Sequence, residues 1–102
     1  MITFNTNGNI VLPTNYKQLT IPQRKLVREE YIRIQEGKCS HCGNLLNDKP
    51  KPDMLKQKIN KNLFPKNFFN YPIHLHHCHK TDITIGAVHA VCNAILWQFY
   101  GE

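Results

Sequence analysis

Two closely spaced pairs of potential metal ligands constrain this 102-residue chain more than any other feature. The first pair is Cys39 and Cys42, in the segment CSHCG, and the second is His89 and Cys92, in the segment HAVC. Two thiolates separated by two residues can chelate one Zn²⁺, because a tight turn directs both sulfur atoms to one point. Gly43 supplies the backbone freedom that such a turn needs. We therefore predict one structural zinc ion held by all four residues of the two pairs.

The cysteines leave two other interpretations open. Cys78 could replace His89 as the fourth zinc ligand, and the Cys39–Cys42 pair could be a redox motif. A thioredoxin-like motif would open a helix after a parallel strand, whereas no alternation of strands and helices is visible here. The chain has no apolar N-terminal run of signal-peptide type and no segment that approaches a membrane span. We therefore expect a cytoplasmic protein without a membrane partner, in which thiols stay reduced.

A single domain accounts for the whole chain. The length fits one domain, and a hydrophobic content of 41 % supports only a modest core, so a metal staple is expected. We predict an α+β fold with flanking helices. Residues 1–37 should form an N-terminal hairpin around Asn7-Gly8 and a helix. Residues 38–102 should form a zinc knuckle, a basic insert and a core of two strands followed by a helix.

The segment TIPQRKLVREEYIRIQEG predicts the first helix. Thr20 and Gln23 form a candidate capping box, Pro22 suits the first turn, and Gly37 marks the end. Three apolar residues should line the buried face of this helix: Val27, Tyr31 and Ile34. Its arginines lie elsewhere and are interpreted as a solvated face, with phosphate contact as the alternative: Arg24, Arg28 and Arg33.

Residues 47–72 form a lysine-rich insert. Apolar residues recur at Leu55, Ile59 and Leu63, which predicts a short helix over 53–63. The aromatic residues that should pack the insert onto the core are Phe64, Phe68, Phe69 and Tyr71. A net charge of +6 favours a polyanionic partner, and nucleic acid is the first candidate. The lysines predicted to contact its phosphates are Lys56, Lys58, Lys61 and Lys66 and, beyond the insert, Lys80.

The C-terminal third of the chain predicts two strands and a closing helix. The segment IHLHH alternates like a strand over 73–77, CHKTD is a turn, and ITI is a second short strand. After Gly86, an apolar run without Gly or Pro predicts a helix to about Tyr100. His74 lies two residues before His76 on the same strand face, so it could line the same site, but we predict that it is a surface residue.

A longer motif links these strands to the helix. It reads, without a gap, His76-His77-Cys78-His79, then Thr81-Asp82, Ile85-Gly86 and finally His89-Ala-Val-Cys92-Asn93. This pattern resembles the zinc-containing HNH, or His-Me finger, nucleases, and in particular the phage recombination endonuclease VII type. The family signature is Asp-His-x-His, a Thr-Gly turn, an Arg-Gly and then Cys-x-x-Cys-Asn. With the upstream Cys-x-x-Cys pair, the resemblance covers residues 39 to 97.

The resemblance implies a metal-dependent DNA endonuclease with a small, zinc-stapled ββα-metal core of treble-clef-like form. His77 takes the place of the general base. His76 and Asn93 take the places of the ligands to a catalytic divalent ion, Mg²⁺ or Mn²⁺, and His79 matches the second histidine of the catalytic motif. Cutting both DNA strands at once would need two sites, which would favour a homodimer. A phage origin is compatible with this family.

Three positions depart from the family signature. Ile85 replaces the arginine and removes one phosphate contact, Asp82 replaces the glycine of the turn, and His89 replaces a zinc cysteine. In addition, His76 and His77 would point to opposite faces of a regular strand, so both could serve one site only at a strand end or a bulge. The alternative function is a catalytically inactive, zinc-stapled nucleic-acid-binding module.

Overall fold

The computed structural model describes residues 2 to 101 and has the predicted α+β fold. Two antiparallel strands form one sheet in this range. The elements in chain order are α1 (Ile21–Ile34), α2 (Pro52–Leu55), β1 (Ile73–His77), β2 (Thr84–His89) and α3 (Ala90–Tyr100). Short 3₁₀ turns occur at Tyr16–Gln18, Lys61–Leu63 and Phe68–Asn70. None of the helices in residues 2 to 101 is long and apolar enough to cross a membrane.

Helix α1 begins with the predicted capping box. The Thr20 side chain accepts a hydrogen bond from the Gln23 N–H, and the Gln23 side chain accepts one from the Thr20 N–H. Val27 and Tyr31 are buried as predicted, whereas Ile34 is 52 % exposed. The prediction for Ile34 is wrong because the face that contacts the sheet continues four residues after Tyr31, at the polar Gln35, rather than three residues after it.

The sheet is short and irregular at one end. Ile73 pairs with His89 and His76 pairs with Gly86, but the next pair joins His77 to Thr84. The register therefore shifts between His76 and His77, and β2 carries one extra residue there. β2 is longer than the predicted ITI because residues 86–89 continue the strand beside β1 before α3 begins.

The N-terminal segment flanks the sheet at this irregular end. The Thr84 N–H donates to the Thr14 carbonyl (2.9 Å), and the Tyr16 N–H donates to the Asp82 carbonyl (2.7 Å). Thr84 also holds α1, because its hydroxyl lies 2.9 Å from the Tyr31 hydroxyl. Further upstream, the hairpin predicted around Asn7-Gly8 is reduced to a turn with a single bridge. These contacts fix Tyr16 beside the end of β1.

The prediction of a helix over residues 53–63 is wrong, since α2 ends at Leu55. Beyond α2 the backbone is held by α3: the Gln98 side chain accepts a hydrogen bond from the Asn60 N–H and donates one to the Lys58 carbonyl, each at 2.9 Å. Asn60 then caps the short turn that follows. Leu55 is 51 % exposed, so the four-residue spacing does not mark a buried face.

The aromatic residues of the insert pack against α3, as predicted. The Phe64 ring centroid lies 5.5 Å from that of Trp97 and 4.6 Å from that of Phe68, and Phe69 contacts both phenylalanines. Tyr71 differs, because it is 64 % exposed. This packing places the insert across the cleft from α1, where both line one large cavity.

Candidate functional site

Cys39 and Cys42 lie in a tight turn after α1. The Cys39 N–H donates to the Asn44 carbonyl (2.8 Å), and the Gly43 N–H donates to the Cys39 carbonyl (3.0 Å). Gly43 has a φ of +85°, which is the backbone conformation that the sequence suggested. Both sulfur atoms of the turn are buried.

The second ligand pair lies where the sheet meets α3. His89 is the last residue of β2, and Cys92 lies in the first turn of α3. The His89 Nδ1 atom is 3.4 Å from Cys42 Sγ and 3.7 Å from Cys92 Sγ. The four potential ligand atoms of Cys39, Cys42, His89 and Cys92 all lie within 4.8 Å of one another, and all four residues are buried. This Cys3His group could hold a metal ion such as zinc.

The other ring nitrogen of His89 orients the imidazole. Nε2 lies 2.9 Å from the carbonyl oxygens of both Leu45 and Asp48, so it carries the proton and donates to them. Nδ1 is then left unprotonated and faces the two sulfur atoms. A hydrogen bond from the distal nitrogen to a carbonyl is the usual support of a metal-binding histidine.

The cysteines of the group influence one another strongly. A hydrogen bond from the Cys92 thiol and several backbone N–H groups lower the pKa of Cys39 to about 4. The same contact with Cys39, together with burial, raises the pKa of Cys92. Binding of a metal ion would require both thiols to lose their protons.

Cys78 lies outside this cluster. It is in the turn after β1, where its N–H donates to the Ile83 carbonyl at 3.0 Å. Among the described residues, the potential metal-binding group contains His89 and not Cys78. The geometry therefore favours the predicted four ligands over the alternative set.

A large cleft opens in a part of the structure that contains none of the four potential metal ligands. Its volume is about 1210 Å³, and it lies between α1, the aromatic insert, β1 and α3. Three of the predicted catalytic residues line it: His77, His79 and Asn93. His74 lines it too, although sequence reasoning placed that residue on the surface.

His77 sits at the end of β1 against Tyr16. The two rings are stacked, with centroids 3.9 Å apart and planes 9° from parallel, and the His79 ring centroid is 4.8 Å from that of His77. Burial and the neighbouring His79 lower the pKa of His77 to about 4. His77 is therefore neutral at physiological pH and can accept a proton.

Asn93 projects from α3 towards β1. Its Nδ2 atom lies 3.0 Å from His74 Nδ1, and His74 Nε2 lies 2.9 Å from the Phe68 carbonyl. His74 Nε2 therefore donates to Phe68, and Nδ1 accepts from the Asn93 amide. Burial also lowers the pKa of His74. The only sequence signal for this contact was the position of His74, two residues before His76.

His76 has a different environment from the other histidines. It is 4 % exposed, and among residues 2 to 101 it does not belong to the lining of the cleft. The structure thus brings Asn93 to His74, while the assignment of His76 as a metal ligand stays a prediction. The strand end and the register shift that would let neighbouring histidines serve one site are both present at His76 and His77.

The predicted phosphate contacts lie outside the cleft. All of these lysines are exposed: Lys56, Lys58, Lys61, Lys66 and Lys80. None of them lines the cleft in the described part of the chain. Basic residues of α1 line it instead, namely Arg24, Lys25 and Arg28.

Asp82 and Ile85, which both depart from the nuclease signature, lie at irregular points of the backbone. Asp82 has a φ of +63°, the left-handed conformation for which glycine is best suited and which Asp tolerates. Its carboxylate also lies 3.6 Å from Lys17 Nζ. Ile85 is the extra residue at the register shift and is 47 % exposed. Asp82 therefore preserves the turn, whereas Ile85 provides no charge.

No known protein family, curated protein or solved structure matches this chain. Any functional assignment therefore depends on the chain's own residues and on the motif resemblance.

Proposed function

We propose that this protein is a metal-dependent DNA endonuclease of the HNH type, with a structural zinc ion and a His77 general base. The observation that carries the proposal is the position of His77. It is a neutral, half-buried imidazole held at the end of β1, and it shares a cationic cleft with Asn93. The Cys3His group lies at the start of the helix that carries Asn93.

Phosphodiester hydrolysis needs a base for the attacking water, and His77 meets the structural requirement for one. The stack on Tyr16 fixes the plane of the imidazole ring, which lines the cleft. A pKa of about 4 makes a weak base, but a bound phosphate would raise it, because the negative charge stabilises the imidazolium. Binding of DNA would therefore bring the pKa of His77 closer to the value that suits a general base.

Asn93 is the residue we assign to the catalytic divalent ion. Its amide nitrogen is used by His74, so the amide oxygen points away from that bond and can serve as a ligand. The second ligand is a histidine, His76 by the family motif. When bound, the ion supplies positive charge to the scissile phosphate and to the leaving oxygen. Imidazole and amide donors suit a transition-metal ion better than Mg²⁺, which prefers carboxylate and phosphate oxygens. We therefore expect Mn²⁺ to be the better activator.

Zinc is the metal we assign to the Cys3His group, in a treble-clef-like arrangement of the knuckle, β2 and the start of α3. Three thiolates and one imidazole would supply the four ligands that are typical of a structural zinc site. Bound zinc would fix α3, and hence Asn93, against the knuckle. It would also connect α3 to β2 through His89.

Nicking of supercoiled plasmid tests the proposal. The zinc-loaded protein should convert supercoiled DNA to the open form when Mn²⁺ is added and, more slowly, with Mg²⁺. Without an added divalent ion, no cleavage should occur while zinc stays bound. If DNA is bound but is not cut with any divalent ion, the proposal fails and the inactive binding module is the better assignment.

A further inference from the structure

The α1 side of the cleft has basic residues with no role in the proposed chemistry. Arg24, Lys25 and Arg28 line the cleft from α1, and Glu29 is the one acidic residue among the described lining residues. The helical spacing of Arg24 and Arg28 places the two side chains on the same face, about 5–6 Å apart at Cβ. This face carries an excess of positive charge.

Arg24 is connected to His77 through one aromatic ring. The Arg24 Cζ atom lies 4.0 Å from the centroid of the Tyr16 ring, and the same ring stacks on His77. The Arg24 guanidinium is therefore held near the proposed base. A cation–π contact orients a guanidinium but does not use its N–H donors.

One donor of the Arg24 guanidinium is not satisfied within the described part of the protein. Its Nε atom is buried, and within residues 2 to 101 it has no hydrogen-bond partner. The side-chain ion pairs in the same range are Lys17 with Asp82 and Arg33 with Glu30, so no carboxylate neutralises Arg24 or Arg28. A buried guanidinium N–H without an acceptor is unfavourable, and an anionic ligand in the cleft would correct this.

We propose that Arg24 and Arg28 bind phosphates of the DNA backbone inside the cleft, with Arg24 holding the phosphate next to His77. This inference rests on the proposed function, because it names the groups that hold the substrate. It assigns phosphate binding to a helix face for which the sequence favoured a solvated role over phosphate contact. Arg24 donates through Nε and the adjacent terminal nitrogen, and Arg28 contacts a second phosphate along the same strand.

The test measures DNA binding separately from cleavage. Binding of a short, fluorescently labelled duplex is followed by anisotropy between about 50 and 200 mM salt, without an added divalent ion. Arg24→Gln and Arg28→Gln should each weaken binding about tenfold or more. Each should also reduce the slope of log affinity against log salt by about 0.9.

Arg33→Gln is the matched control, because Arg33 lies on the same helix but pairs with Glu30 and is not part of the described cleft lining. It should change affinity less than about twofold, because the Arg33 guanidinium is already paired with Glu30 and lies outside the described cleft lining. Arg24→Lys should keep the salt slope and lose only part of the affinity, since it retains the charge but not the planar donor pair. A melting curve and zinc content like those of the wild type establish that each variant is folded.

An unchanged salt slope in both Arg24→Gln and Arg28→Gln would overturn the inference. Arg24→Gln also removes the contact with Tyr16, but loss of that contact alone would not change the number of phosphates bound. Equal losses in Arg33→Gln would also overturn it, because the effect would then reflect general charge. If the two cleft variants lose binding, and the wild type binds DNA but does not cut plasmid, the inference is supported and the proposed function is refuted. Failure of the wild type to bind DNA would refute both.

Discussion

Replacing Gly86 with Ala should destabilise the junction between the sheet and the knuckle. A Cβ atom at Gly86 would lie 2.8 Å from Ser40 Oγ, 3.1 Å from Ser40 Cβ and 2.9 Å from Gln35 Oε1. The Ser40 hydroxyl can rotate away, but Ser40 Cβ cannot withdraw easily, because the Ser40 N–H donates to the Ala87 carbonyl at 3.0 Å. Gln35 is also fixed, since it accepts from the Ala87 N–H and donates to the Ala87 and Lys38 carbonyls.

The expected cost follows from these contacts. Overpacking of a tight site costs about 1–3 kcal/mol. If Gln35 moves away instead, the Ala87 N–H loses its acceptor, which costs about 1–3 kcal/mol where the group is buried. Either response leads us to expect that Gly86→Ala lowers the free energy of unfolding by about 1–3 kcal/mol.

A double-mutant cycle with Gln35→Ala tests the cause of this loss. Gln35→Ala alone should cost about 1–3 kcal/mol through its lost hydrogen bonds, but it also removes one of the two obstacles to a Cβ at Gly86. The double variant should therefore lose about 1 kcal/mol less than the sum of the single losses. Urea unfolding of zinc-loaded protein gives the four free energies. Strict additivity, or a cost below about 1 kcal/mol for Gly86→Ala, would refute this account of the junction.

Two further predictions concern the metal and the lysines. Cys92→Ser should lose tightly bound zinc and unfold, whereas Cys78→Ser should keep one zinc ion per chain by elemental analysis, because only Cys92 lies in the ligand cluster. Loss of zinc from Cys78→Ser would contradict the ligand set. Neutralising Lys56, Lys58 and Lys61 should reduce the salt slope of DNA binding by about 0.9 for each lysine that contacts a phosphate. An unchanged slope would identify these exposed lysines as a solvated surface.

The parts of the fold that depend on neighbours in sequence could be predicted well. The capping box at Thr20 and Gln23 and the alternation in IHLHH are local signals, and both elements appear where they were expected. The four potential metal ligands also form two local pairs, so only the meeting of the pairs had to be inferred. These predictions succeed because the residues that interact in each motif lie only a few positions apart in the sequence.

The parts that depend on distant contacts could not be predicted. The helix expected over residues 53–63 is interrupted where Gln98, about 40 positions away, binds the backbone. The stack of Tyr16 on His77 depends on the N-terminal segment lying beside Asp82, and no periodicity predicts it. The bond between His74 and Asn93 joins β1 to α3, so a strand pattern alone gave His74 no partner.

Single-turnover nicking by His77→Ala tests the central claim most directly. His77 belongs neither to the Cys3His group nor to the basic residues, so zinc content and DNA binding should be preserved, while loss of the stack on Tyr16 should lower the melting temperature by a few degrees without unfolding the protein. Loss of a general base should slow cleavage by about 10² to 10⁴-fold, and excess Mn²⁺ should not restore the rate. His41→Ala is the control, because His41 is an exposed histidine outside the described cleft lining, and it should cut like the wild type. If His77→Ala cuts within a few-fold of the wild-type rate, His77 is not the base and the HNH mechanism does not apply to this protein.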